Sequence, residues 1–83
     1  MTDINDRTSR RAVTDWSVRA KNLLRAELKR RGITYAELAK RLNAIGLTEN
    51  ERNIGNKISR GSFSAVFLLQ CLHVIEAEVL RLD

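Results

Sequence analysis

Three glycines, Gly32, Gly46 and Gly61, each follow a stretch of helical pattern, and no proline interrupts the 83 residues. Helices commonly end on a left-handed residue, and that residue is usually glycine, so this spacing cuts the chain into short helices joined by turns. An all-helical fold follows. A chain of this length forms one core and leaves no room for a separate catalytic domain.

The first helix is expected from Thr14 or Asp15 to Arg31, with Trp16, Ala20, Leu23, Leu24 and Leu28 on its inner face. Residues 1–13 are polar and aperiodic and are assigned to a flexible N-terminal arm, leaving 14–83 as the single domain. Thr34 and Glu37 form a T-x-x-E capping box, with Ile33 and Leu38 as a hydrophobic staple, so a second helix opens at Tyr35. It buries Leu38, Ala39 and Leu42 and stops before Gly46. Thr48 and Glu51 repeat the box and open a third helix that ends before Gly61. Ser62 caps a fourth, from Phe63 to about Val74, and "EAEVLRLD" supplies a fifth short helix or an extended segment.

The third helix carries the most chemical information. On a 100° wheel Ile54, Ile58, Glu51 and Gly55 share one side, while Glu49, Arg52, Asn53, Asn56, Lys57 and Arg60 share the other. Three asparagines, Asn50, Asn53 and Asn56, are indifferent helix formers, and Gly55 costs about 1 kcal/mol in a helix interior. Close approach of this helix to Ala39 on the second is the expected reason for Gly55. The polar face suits base recognition, since asparagine pairs in bidentate fashion with adenine, arginine with guanine, and a carboxylate accepts from cytosine N4.

Charge points the same way. The net charge is +5, and from Arg19 to Arg31 the chain carries Arg19, Lys21, Arg25, Lys29, Arg30 and Arg31 against only Glu27, whereas Glu76, Glu78 and Asp83 outnumber Arg81 after Gly61. One part of the molecule is thereby suited to phosphates.

The segments "ITYAELAKRL" and "IGNKISRGSFSAVFLLQCLHV" resemble the helix-turn-helix of phage-repressor-like proteins, the Cro and xenobiotic-response-element type. Thr34, Glu37, Leu38, Ala39 and Leu42 match the run that opens that motif. Ile58, Arg60 and Gly61 match the end of its recognition helix, followed by an apolar helix from Ser62. The turn "NAIGLTEN" is longer than that family's usual turn, and Gly55 stands where a branched aliphatic residue is usual. From Trp16 onward the chain also looks like a family of small bacterial proteins without an established function. The first resemblance implies a compact four- to five-helix bundle of the lambda-repressor-like type that binds operator DNA as a dimer.

The expected function is therefore sequence-specific binding of double-stranded DNA by a small transcriptional regulator, with helix 49–60 in the major groove. Base contacts are assigned to Glu49, Asn50, Arg52, Asn53 and Asn56, and phosphate contacts to Tyr35, Lys57, Arg60, Lys29 and Arg30. The alternative is a protein-interaction module, anti-activator or antitoxin-like, built on the same scaffold. The run "FSAVFLLQCLHVI" is apolar around most of its circumference, which favours a homodimer, with Phe63, Phe67 and Leu80 at its interface.

Enzymatic, metal and cofactor roles are not expected. Cys71 and His73 point about 200° apart on a helix, and a single cysteine forms neither an internal disulfide nor a multi-cysteine zinc site. No apolar run reaches membrane-span length and the N-terminus lacks a signal-peptide core, so a cytoplasmic protein is expected.

Overall fold

The computed structural model describes the backbone from Thr2 to Leu82 and side chains from Trp16 to Leu82. It contains four helices, α1 (Thr2–Arg30), α2 (Tyr35–Ala44), α3 (Glu51–Arg60) and α4 (Ala65–Val74), and no strand among the described residues. The expected arm at 1–13 lies outside the described side chains. No fifth helix forms after Val74; residues 76–82 run without regular structure.

Helices α2, α3 and α4 have ten residues each, too few to be stable alone in water, so packing must hold them. α3 lies against both α1 and α2, and α4 lies against α2. The core joins Leu24 and Leu28 of α1 to Leu38, Ala39 and Leu42 of α2, Ile54 and Ile58 of α3, and Phe67 and Cys71 of α4; Ile33 and Ile75 complete it. All three residues expected on the inner face of α2 are buried, as are both isoleucines of α3.

Trp16 departs from expectation, with 61% of its surface exposed. At this end α1 meets the C-cap of α3 through Ser17, and the C-terminal segment lies beside Trp16. Leu82 lines a shallow depression with Trp16, Arg19, Ala20 and Leu23, and its carbonyl accepts from the Arg19 guanidinium. Arg19 in turn stacks over the Trp16 ring, 5.5 Å from its centre.

The caps explain the helix boundaries. Thr34 Oγ1 accepts from the Glu37 amide at 3.1 Å and opens α2 at Tyr35, as expected. Asn50 and not Thr48 caps α3, its Oδ1 accepting from the Asn53 amide at 2.8 Å. The physical reason is a side-chain clasp one step upstream. Asn43 Oδ1 accepts from the Glu49 amide at 2.7 Å, and Asn43 Nδ2 donates to the Glu49 carbonyl at 3.0 Å. Those groups are thereby withdrawn from any helix beginning at Glu49. Ser64, not Ser62, caps α4 by accepting from the Phe67 amide at 3.0 Å, so that helix starts at Ala65.

The long turn after α2 is well anchored. The Leu47 amide donates back to the Leu42 carbonyl at 3.1 Å and the Gly46 amide to Asn43 at 3.0 Å, a pairing that needs the positive φ of Gly46. α4 ends on the same pattern, with Ala77 bonded to Leu72 and Glu76 to His73, but here a glutamate takes the left-handed position at φ 61°.

The close-approach glycine is Gly61 and not Gly55. A Cβ on Gly55 would meet only the edge of the Tyr35 ring at 3.6 Å, an ordinary contact with α2's first residue and not with Ala39. Gly61 is buried, sits at φ 67°, and a Cβ there would overlap the carbonyl oxygen of Ser17 on α1. Left-handed strain and overpacking both apply, so Gly61→Ala is expected to destabilise by roughly 2 to 4 kcal/mol. Gly55→Ala is expected to stabilise by up to about 1 kcal/mol, through helix propensity. Urea unfolding of the two variants beside the wild type measures both.

Candidate nucleic-acid interface

α3 is oriented by Ile54 and Ile58, both fully buried, which turn the opposite side of the helix to solvent. Arg52, Asn53, Asn56, Ser59 and Arg60 are exposed there. Asn56, Ser59 and Arg60 border one open depression of about 300 Å³, and Arg60 also borders a second, of about 230 Å³, with Lys57, Ser62 and Phe63.

One flank of this face is built by α1 and α2. Tyr35 lies against Gly55, and its hydroxyl accepts from Arg25 Nε at 3.1 Å. Arg25 Nη2 also reaches Ser59 Oγ, at 3.5 Å. A groove of about 530 Å³ continues from there between α1 and α2, lined by Arg25, Leu28, Lys29, Gly32, Ile33, Thr34 and Tyr35.

The other flank belongs to α4. Lys57 Nζ donates to Glu49 Oε2 at 2.5 Å and lies 4.9 Å from the centre of the Phe67 ring. The Glu49 side chain is only 6% exposed. Glu49 thus precedes α3 and turns inward, away from the exposed arginines and asparagines. Burial together with the Glu49 charge pushes the Cys71 thiol up to about 12, so Cys71 is held as a neutral core thiol. Phe67 is likewise internal, 5% exposed and 5.8 Å from the half-buried Phe63 ring.

The carboxylates between Trp16 and Asn50 are all matched to cations. Glu27, 3% exposed, takes Arg30 at 2.6 Å and also Arg31. Glu37 takes Arg41 at 2.9 Å, and Arg41 extends to the Val74 carbonyl at 3.1 Å, tying α2 to the end of α4. Glu49 takes Lys57. Among the described residues no carboxylate pairs with Arg25, Arg52 or Arg60.

The structure therefore brings together Arg52, Asn53, Asn56 and Arg60, with Tyr35 beside them. Asn50 lies at the rim as the cap, Arg30 is occupied by Glu27, and Lys29 borders the separate α1–α2 groove. Leu80 is half-buried in the C-terminal segment. Sequence reasoning placed Arg25 only in a basic run and gave Ser59 no role; the signal for both is a contact between helices, which local spacing does not encode.

A family model described as a domain of unknown function (DUF6471) matches residues 16–80. The chain belongs to this family. No curated protein and no solved structure matches the chain. The DUF6471 match begins at Trp16, under the Arg19 guanidinium, and takes in every residue of the exposed α3 face and both of its flanks. No helix of the described part of the domain is long and apolar enough to cross a membrane. Among its described residues no three His, Cys, Asp or Glu side chains cluster as metal ligands do.

Glu27 supplies a test of how this charge layout supports the domain. Burial pushes its carboxyl up, but the hydrogen bonds and charges of Arg30 and Arg31 outweigh that and hold it below 4.5. A depressed folded-state value adds stability that is present above 4.5 and lost as the pH falls through the lower folded value. Glu27→Gln should thus lower the urea midpoint at neutral pH. Its gap from the wild type should close as the pH drops below 4.5, as chemical denaturation across pH measures.

Proposed function

We propose that the chain is a small DNA-binding regulator of the repressor-like helix-turn-helix type, with α2 and α3 as its two motif helices and α3 in the major groove. The observation that carries this reading is the exposed α3 face: two arginines and two asparagines project from a helix whose other side is locked by Ile54 and Ile58, while Glu49 is turned inward and paired with Lys57 and only Glu51, in the first turn, adds an exposed carboxylate. Guanidinium and amide groups are the side chains that pair in bidentate fashion with guanine and adenine edges, and a helix of α3's width fits the major groove. The Asn43 clasp supports the reading as well, because it holds the start of α3 against the end of α2 despite the long turn.

The roles follow the geometry. Arg52, Asn53 and Asn56 are assigned to base edges and Arg60 to a phosphate. Glu49 is assigned to holding Lys57, and both are set aside as DNA contacts. Anisotropy titration of labelled duplexes, from the gene's own upstream region and from unrelated sequence, at several salt concentrations tests this. The wild type is expected to prefer one duplex, and an Arg52→Ala, Asn53→Ala, Asn56→Ala variant to lose at least about tenfold of that preference. Equal, weak binding of every duplex by both proteins would remove the base-reading role.

A second reading, a protein-interaction module on the same scaffold, rests on the outer side of α4. Val66 and Leu69 are 63% and 65% exposed, three residues apart on one helical face. In the regulator reading this face carries the homodimer, since Phe67 is already used inside the chain. Light scattering after size-exclusion chromatography is expected to show a dimer for the wild type and a monomer for Leu69→Glu. A wild-type monomer would shift weight to a different protein partner for this face.

A further inference from the structure

We propose that Arg25, Tyr35 and Ser59 form a phosphate-binding node that clamps the nucleic-acid backbone beside α3; this rests on the DNA-binding reading above. Three helices meet at the node. Arg25 comes from α1, Tyr35 is the first residue of α2, and Ser59 lies in the last turn of α3. The Arg25 guanidinium donates to both hydroxyls, at 3.1 Å to Tyr35 and 3.5 Å to Ser59.

A count of donors and acceptors gives the chemistry. A guanidinium has five N–H donors and no acceptor, and each hydroxyl has one proton to donate besides its lone pairs. Here each hydroxyl already accepts from Arg25, so its own proton is left to be donated outward. The guanidinium keeps further N–H groups, and among the described residues no carboxylate forms an ion pair with Arg25. Arg25 is exposed. A node rich in outward donors around a fixed positive charge suits an anion with several acceptor oxygens.

Position selects which anion. Ser59 borders the same depression as Asn56 and Arg60, so an oxygen-rich group held at the node sits at the edge of the proposed base-reading face. A backbone phosphate of DNA lies at that kind of distance from a helix in the groove, and contacts of this type set register. Arg25 also differs from Arg30 and Arg31. Arg30 and Arg31 are taken by Glu27, whereas the two hydroxyls hold Arg25 in place without cancelling its charge. Pre-orientation of the planar fork lowers the ordering needed when it meets phosphate.

The node is tested by a neutral-linkage walk along the preferred duplex. Single methylphosphonates replace the phosphates one at a time, and binding is measured by anisotropy for the wild type, Arg25→Gln, Arg25→Lys, and Tyr35→Phe with Ser59→Ala. Expected is one phosphate position per bound protomer at which neutralisation weakens the wild type about tenfold yet leaves Arg25→Gln unaffected, since that variant has already lost the contact. The log–log salt slope of Arg25→Gln should fall by about 0.9 per bound protomer, one phosphate's worth each, on preferred and unrelated duplexes alike. Arg25→Lys should keep the slope but bind more weakly, and the double hydroxyl variant should bind more weakly at that same position only. Unfolding midpoints of all variants near the wild type's would separate these effects from folding. If the wild type prefers one duplex but the losses from Arg25→Gln and every methylphosphonate simply add, the node is overturned alone. If the wild type binds no duplex, the DNA-binding reading fails and the node with it.

Discussion

The spacing between α1 and α3 is set where Gly61 meets the backbone of Ser17. No side chain fits between them, and the left-handed turn at Gly61 lets the chain leave α3 without striking α1. At that distance Ser59, two residues earlier, comes within reach of Arg25, and Tyr35 packs over Gly55. A wider crossing would separate these groups and open the isoleucine stripe of α3 to water. The three short helices have little stability of their own, so a single backbone contact has consequences for the whole α1–α3 surface.

Electrostatic pairing then sorts the basic residues into two groups. Glu27, Glu37 and Glu49 each hold cations, and the pairs tie turns and helices together: Lys57 to the chain just before α3, Arg41 to α2 and onward to the end of α4. Among the described residues Arg25, Arg52 and Arg60 are left without a carboxylate, as are Lys21, Lys29 and Lys40 elsewhere on α1 and α2. Apolar exposure is distributed differently, on the outer side of α4 at Val66 and Leu69 and along the tail at Val79 and Leu82. The two surfaces suit two different kinds of contact, a polyanion on one and an apolar partner on the other.

Much of the helix plan was legible because its signals are local. Thr34 capping α2, the staple of Ile33 and Leu38, and the burial of Ile54 and Ile58 depend on residues three to five apart in the chain. Choices among several suitable caps were not legible. Thr48 and Asn50 are both good caps, as are Ser62 and Ser64, and the decision for Asn50 is made by Asn43 holding Glu49 across the turn. Trp16 reads as a core residue by periodicity, yet it is largely exposed and lies beside Arg19 and Leu82 instead of the core. Glu76 takes a left-handed end with no glycine to mark it.

For the candidate site, the sequence by itself determined that α3 would show amides and guanidiniums on one side, because helical periodicity and two isoleucines leave no other orientation. It also determined an excess of positive charge on the first helix. Only the tertiary structure decided which of those charges are free. Lys57 and Arg30 have the right chemistry to meet phosphate but are held by Glu49 and Glu27, while Arg25 gains hydroxyl partners from two other helices. Composition counts charges, but pairing depends on distances of a few ångströms between residues as far apart in the chain as Arg25 and Ser59. Those distances exist only once the helices have packed.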